Sequence, residues 1–244
     1  MPPIIHIKET ESTNSYLKEL LSVEQLAEGT IVSTENQIAG RGQRGNSWES
    51  EQGKNLTFSM VLYPLAIAVN EQFILSQVVS LGIKKALDKY TEGITIKWPN
   101  DIYWNEKKIC GILIENALAE NGFLHTIVGI GLNINQERFE SDAPNPISLA
   151  QITGQEYNLN EILEEIREWI FAFYKEAELL GNYKTIQHFY HKSLFRKEGF
   201  HSYSDERENF KAKIKEILPT GHLVLETLGG EIKTFAFKEV KYVM

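Results

Sequence analysis

Four short segments of this chain carry residue types suited to a charged substrate. The first is Gly40-Arg41-Gly42-Gln43-Arg44-Gly45. It matches the dinucleotide spelling GxGxxG, but that motif works only where it opens a helix. Here a polar stretch through Gly53 runs into a strand-like segment instead, and no Gly-Lys-Ser/Thr follows to close a phosphate loop. What remains is a glycine loop whose amides and arginines could fold over an anion, or a plain surface loop. Three glycines in six residues carry a large backbone entropy, so residues 40–47 are expected to move freely alone and to order over a ligand.

The second segment, Lys97-Trp98-Pro99-Asn100-Asp101, stands where a strand ends, because proline stops sheet pairing. It brings out a lysine that can neutralise phosphate and a carboxylate that can hold the magnesium accompanying ATP. Ordinary turn packing with solvated charges reads the same letters equally well. The third, Lys107 to Glu115, sets two lysines at the mouth of an apolar strand in which Gly111 omits a side chain. Such a glycine marks a close approach of ligand or backbone, or else a bulge. In the fourth, Gly129-Ile130-Gly131-Leu132-Asn133-Ile134-Asn135, two glycines open space and Asn133 offers donors and an acceptor. A glycine-kinked strand is the plainer alternative.

Placing these segments requires strands and helices in alternation. Residues 4–7 alternate like a strand, and Ser12, Thr13 and Asn14 offer helix-capping chemistry before a helix over 16–26. Strands are predicted at 30–33, 55–63, 94–98, 108–117 and 123–133, with a turn at Glu120-Asn121-Gly122. Helices are predicted at 70–90 and 161–180 from their apolar spacing. From about Arg196 the pattern changes to short alternating strands at 212–218, 223–227 and 231–237, which suggests a small β-barrel or meander. The expected division is a catalytic unit over 1–195 and a small β-domain over 196–244.

With 244 residues, 42% hydrophobic and 24% charged, the composition is that of a folded globular protein. The net charge of -8 gives no broad electrostatic footprint for nucleic acid. A single cysteine, Cys110, excludes an intramolecular disulfide, and neither a signal segment nor an apolar run long enough to span a membrane occurs. The expected compartment is the cytoplasm.

In this order, the four segments resemble biotin–protein ligases, whose pattern has a GRG-type loop, KWPND, a K-x-x-GILIE strand and a GIGxNxN strand. The resemblance covers residues 7–135, with a looser likeness in the C-terminal part. It implies an α+β fold: a mixed sheet with flanking helices, as in class II synthetase-like catalytic domains, plus a small SH3-like β-barrel. By the same resemblance, Ser12, Thr13, Asn14 and Gln37 bond the biotin end, with Gly111 beside it. Arg41, Gly42 and Gln43 cover the biotin carboxylate and the nucleotide phosphate, and Lys108 contacts the carboxylate and the α-phosphate. Arg44, Trp48, Lys97, Asn100, Asp101 and Asn133 face ATP, Asp101 with Mg2+. Arg41, Lys97 and Lys108 are the implied catalytic cations.

The implied reaction forms biotinyl-5'-AMP and passes biotin to a lysine of a biotin carboxyl carrier protein. Gln43 departs from the family, since several relatives place there an arginine that retains the intermediate, and Asn46 also replaces a basic residue. No DNA-binding helix-turn-helix is expected before Ile7, no membrane partner is implied, and a homodimer is admitted. A lipoate–protein ligase of the same fold and a non-catalytic nucleotide-binding protein are the rival readings.

Overall fold

The computed structural model describes residues 2–43, 46–140 and 145–243. Along the chain run Ile4–Thr10 (β1), Thr13–Val23 (α1), Ile31–Gln37 (β2), Leu56–Leu62 (β3), Phe73–Leu87 (α2), Ile94–Lys97 (β4) and Asp101–Trp104 (β5). Lys107–Ala119 (β6), Gly122–Leu132 (β7), Leu149–Thr153 (α3), Leu159–Glu178 (α4) and Tyr183–Lys192 (α5) follow. The C-terminal part contributes His201–Ser204 (β8), Asn209–Ile217 (β9), Leu223–Thr227 (β10), Ile232–Phe235 (β11) and Lys241–Tyr242 (β12).

β1 to β7 form one sheet in the order β1-β2-β3-β7-β6-β5-β4. β1 and β2 pair in parallel and every other neighbour pair is antiparallel, so the sheet is mixed. Strand alternation divides its residues between two faces. Phe58, Met60, Val128, Ile130 and Ile112 join a large core with α2 and α4. On the opposite face Leu17 of α1 packs on Val32, Val61 and Ile127. α2 and α4 cross closely because Gly82 has no side chain: a Cβ there would lie 2.8 Å from the Ile170 backbone.

The second sheet is antiparallel, in the order β11-β10-β9-β8-β12. Its inner residues Ala212, Ile214, Leu223, Leu225 and Phe235 belong to the same hydrophobic cluster as α2 and the first sheet. Trp98 Nε1 donates to the Gly221 carbonyl at 2.8 Å, and the Phe237 ring packs on both Trp98 and Phe73. Among the described residues, no helix is long and apolar enough to cross a membrane.

Three features differ from the sequence expectation. The chain does not leave the sheet after Lys97: it turns through Trp98 to Asn100 and returns at once as β5, a four-residue strand. α1 begins at Thr13, and Ser12 stands at its N-cap with extended backbone but no side-chain cap bond. Thr13 and Asn14 reach toward the sheet instead. α3, α5, β8 and β12 were not foreseen.

Candidate active site

Cross-strand pairing places one row of residues side by side: Thr57 on β3, Gly131 on β7, Gly111 on β6, Asp101 on β5 and Lys97 on β4. Directly paired residues point to the same face. Beside this row, Ser59 pairs with Gly129, and Gly129 with Leu113. This face is the floor of a cleft of about 1120 Å³, walled by the start of α1, the loop after β2 and the C-terminal segment.

At one end Thr13, Asn14 and Gln37 give a polar, uncharged lining, with Arg41 at its margin. Gln37 Oε1 accepts from the Thr13 backbone N–H at 2.9 Å and lies 3.3 Å from the Thr13 hydroxyl. The buried Ser59 hydroxyl sits 2.7 Å from Thr13 Oγ1 and 2.6 Å from Asn14 Oδ1. Asn14 Nδ2 donates to Glu115 Oε2 at 2.6 Å. That carboxylate also lies 3.5 Å from Arg41 Nη2, which donates to Ser15 Oγ as well. The network ties the β2 loop to α1 and β6.

The other end is cationic. Lys108 Nζ lies 2.7 Å from Asp101 Oδ1 and 5.6 Å from the centre of the Trp48 indole. Lys97 Nζ donates to Tyr103 Oη at 2.8 Å and lies over the Tyr103 and Tyr242 rings at 4.5 and 5.3 Å. Desolvation holds the Lys97 ammonium below the usual lysine pKa, against the pull of nearby Asp101. Three buried polar atoms of cleft residues have no partner: Trp48 Nε1, a donor, Asn133 Oδ1, an acceptor, and the Tyr242 hydroxyl. Buried polar groups are normally bonded, so Trp48 Nε1 and Asn133 Oδ1, beside the floor row, are natural contacts for ligand atoms.

Of the residues singled out in the sequence, Ser12, Thr13, Asn14, Gln37, Arg41, Gly42, Gln43, Trp48, Lys97, Asn100, Asp101, Lys108, Gly111 and Asn133 all line this one cleft. Arg44 lies outside the described residues, as does the Arg44-Gly45 centre of the loop expected to close over a ligand. The glycines do not leave vacant space. A Cβ on Gly131 would lie 2.3 Å from Trp48 Cε2, one on Gly111 2.9 Å from Trp48 Cζ3, and one on Gly129 2.3 Å from Asn14 Oδ1. They make room for the side chains that line the site. Asn100 Nδ2 donates to the Ile112 carbonyl at 2.6 Å, so half of its amide fixes the β5–β6 frame.

Sequence reasoning missed Ser59, Tyr103, Glu115 and the C-terminal Lys238, Val240, Lys241 and Tyr242, of which all but Ser59 and Glu115 line the cleft. Among the described residues, no group of three or more His, Cys, Asp or Glu could hold a metal. Asp101 is the carboxylate paired with Lys108. That donor set fits magnesium in the form it usually takes at nucleotides, held by phosphate oxygens and water with one or two carboxylates.

The sequence profile of the biotin/lipoate A/B protein ligase family matches residues 6–133. The bifunctional ligase/repressor BirA of Bacillus subtilis is 35% identical over 147 residues, 57% of this chain and 44% of that protein. The biotin–[acetyl-CoA-carboxylase] ligase of Paracoccus denitrificans is 32% identical over 167 residues, 65% of this chain and 67% of that protein. The chain thus spans about half the length of the bifunctional relatives it matches. The biotin protein ligase from Aquifex aeolicus in complex with biotin and ATP superposes with a TM-score of 0.81, 27% identity and 100% coverage of both chains.

Proposed function

This chain belongs to the biotin/lipoate A/B protein ligase family, and from that premise we propose that it is an ATP-dependent biotin–protein ligase. One observation carries the reading most: the cleft sets a neutral hydrogen-bonding end and a cationic end, the latter with Lys108 and Lys97, over one face of the sheet. The ureido group of biotin needs donors and acceptors, which Ser12, Thr13, Asn14 and Gln37 supply. A lipoyl tail calls for a long apolar slot, whereas Ser12, Thr13, Asn14 and Gln37 put hydrogen-bonding groups at this end of the cleft.

In the first step a biotin carboxylate oxygen attacks the α-phosphorus of ATP. The bond to the bridging oxygen breaks, and pyrophosphate leaves with its electron pair. Carboxylate and triphosphate repel each other, so Arg41, Lys97 and Lys108 lower the barrier by stabilising the negative charge. For Lys108 this means exchanging Asp101 for the substrate oxygens. Asp101 would then be free to help hold magnesium, which would supply charge neutralisation at the triphosphate. Asn133 Oδ1 accepts from the amino group of the base.

In the second step the neutral amine of an acceptor lysine attacks the anhydride carbonyl. An amide forms, AMP leaves and the amine proton passes to solvent. Gly42 and Gln43 cover the intermediate, because closure keeps water from the anhydride. The acceptor is a biotin carboxyl carrier protein, and the setting is the cytoplasm. Residues 196–244 form a smaller unit that closes the nucleotide end rather than binding biotin. The net negative charge speaks against DNA as a partner.

Biotin-dependent exchange of pyrophosphate into ATP tests the reading, with lipoate as control. Exchange with lipoate but not biotin would transfer the assignment to the lipoate branch, and ATP binding without exchange would make the protein a nucleotide binder.

A further inference from the structure

We propose that Tyr242, on the last strand of the C-terminal sheet, is a positioning residue for Lys97: its ring face, together with Tyr103, holds the ammonium at the nucleotide end of the cleft. The proposal rests on the reading of Lys97 as a nucleotide ligand. Lys97 ends β4, at the edge of its sheet, on a flexible four-carbon stem. Left in water such an ammonium samples many positions. Among the described residues no carboxylate lies within ion-pair distance of it, and the nearest carboxylate in the row, Asp101, pairs with Lys108. Its partners are the Tyr103 hydroxyl at 2.8 Å and two ring faces at 4.5 and 5.3 Å. Both rings lie within the roughly 6 Å at which a cation is attracted to an aromatic quadrupole.

The choice of aromatic partners has a chemical consequence. A carboxylate would fix the ammonium but cancel its charge, whereas a ring face orients it and leaves the full positive charge for phosphate. Tyr242 is well placed for this. Its backbone pairs with Tyr203 across β12 and β8, and its ring packs on Tyr203 and Phe195 with centroids 5.1 and 5.9 Å apart. The Tyr242 hydroxyl makes no bond to Lys97, so the ring is the part that meets the ammonium. The second sheet thereby reaches the nucleotide end through a side chain that need not touch substrate.

The test uses the full chain with Tyr242→Phe, Tyr242→Leu and Tyr242→trifluorophenylalanine, the last keeping the ring's shape while removing its negative face. Biotin-dependent pyrophosphate exchange gives KM for ATP and for biotin, and thermal melting reports folding. Tyr242→Phe should behave as the unsubstituted protein. The leucine and trifluoro variants should raise KM for ATP roughly tenfold or more, with KM for biotin unchanged. If the leucine variant does not fold, the trifluoro variant decides. Equal values for the trifluoro and Phe variants would overturn the proposal, as would a parallel rise in both KM values. So would an undiminished effect of Tyr242→Leu in a Lys97→Met background. If the unsubstituted protein shows no exchange, the ligase reading fails instead, and calorimetric ATP binding by the same variants decides the cage separately.

Discussion

Gly129→Ala introduces one methyl group at the point where the floor of the cleft meets α1. The new Cβ would lie 2.3 Å from Asn14 Oδ1, whereas non-bonded atoms settle at ~3.5 Å, so they must part by about 1.2 Å. Gly129 is held between Ser59 and Leu113 in the middle of the ladder, so the movement falls on Asn14. That amide is buried, and displacing it breaks its contact with Ser59 and its bond to Glu115. Losing a buried hydrogen bond with its partner left unsatisfied costs about 1–3 kcal/mol. The Glu115 bond counts for less, because that carboxylate is 42% exposed and water can replace the amide.

A total of about 2–3 kcal/mol lowers the Tm by roughly 4–12 °C for a chain of this size. Asn14 also leaves the biotin end, which should weaken biotin binding roughly 10- to 100-fold while ATP binding is unchanged. Calorimetry with each ligand and thermal melting measure these effects. The decisive comparison is a double-mutant cycle. In an Asn14→Ala background the colliding atom is absent, so Gly129→Ala should add less than about 0.5 kcal/mol. Full additivity of the two substitutions would show that the methyl acts by another route.

Lys108→Ala should slow biotinyl-AMP formation by about 2.7–4 kcal/mol of barrier, the usual cost of losing one transition-state donor, with little change in Tm; a folded variant with normal pyrophosphate release would exclude Lys108 from the chemistry. Gln43→Arg should slow escape of biotinyl-AMP, since a charged donor bonds phosphate about twice as strongly as a neutral amide, and an unchanged release rate would clear Gln43 as the weak point. Because desolvation lowers the Lys97 pKa, the folded protein binds fewer protons than the unfolded chain between that value and the usual lysine value. Stability therefore rises with pH across that window while ATP binding falls, and both trends should vanish in Lys97→Met. The burial that raises the Cys110 thiol pKa should leave it inert to alkylation in the native protein, which mass spectrometry after iodoacetamide treatment would check.

Much of this site was legible because it lies on continuous strands. Lys97, Asp101, Lys108, Gly111, Gly131 and Asn133 fall at strand ends or at glycine interruptions, both of which leave marks in sequence. β5 was hidden because proline normally ends a strand, and four residues are too few to show alternation. Ser59 looked like any strand hydroxyl; only the three-dimensional approach of α1 makes it the hub between Thr13 and Asn14. The role of the glycines was half readable. Their spacing announced a close approach, but whether ligand, Trp48 or Asn14 makes it depends on contacts distant in sequence. Tyr242 left no local signal, since its part depends on Lys97, 145 positions earlier (242 − 97).

The floor row also sets a scale. Its five residues stand on adjacent strands, and strands lie ~4.8 Å apart, so Thr57 and Lys97 are about 19 Å apart across the sheet. A ligand reaching from the polar end to the cationic end must lie athwart the strands, and its length is gauged by interstrand spacing, which hydrogen bonding holds nearly constant. Side-chain changes can alter the grip on such a molecule but not the gauge. A register slip keeps the spacing but changes which residues meet the ligand, and a slip of one residue in β5 would turn Asp101 to the opposite face. A single-residue insertion in the Asn105-Glu106 turn should therefore abolish adenylation while leaving the helices and most of the sheet in place.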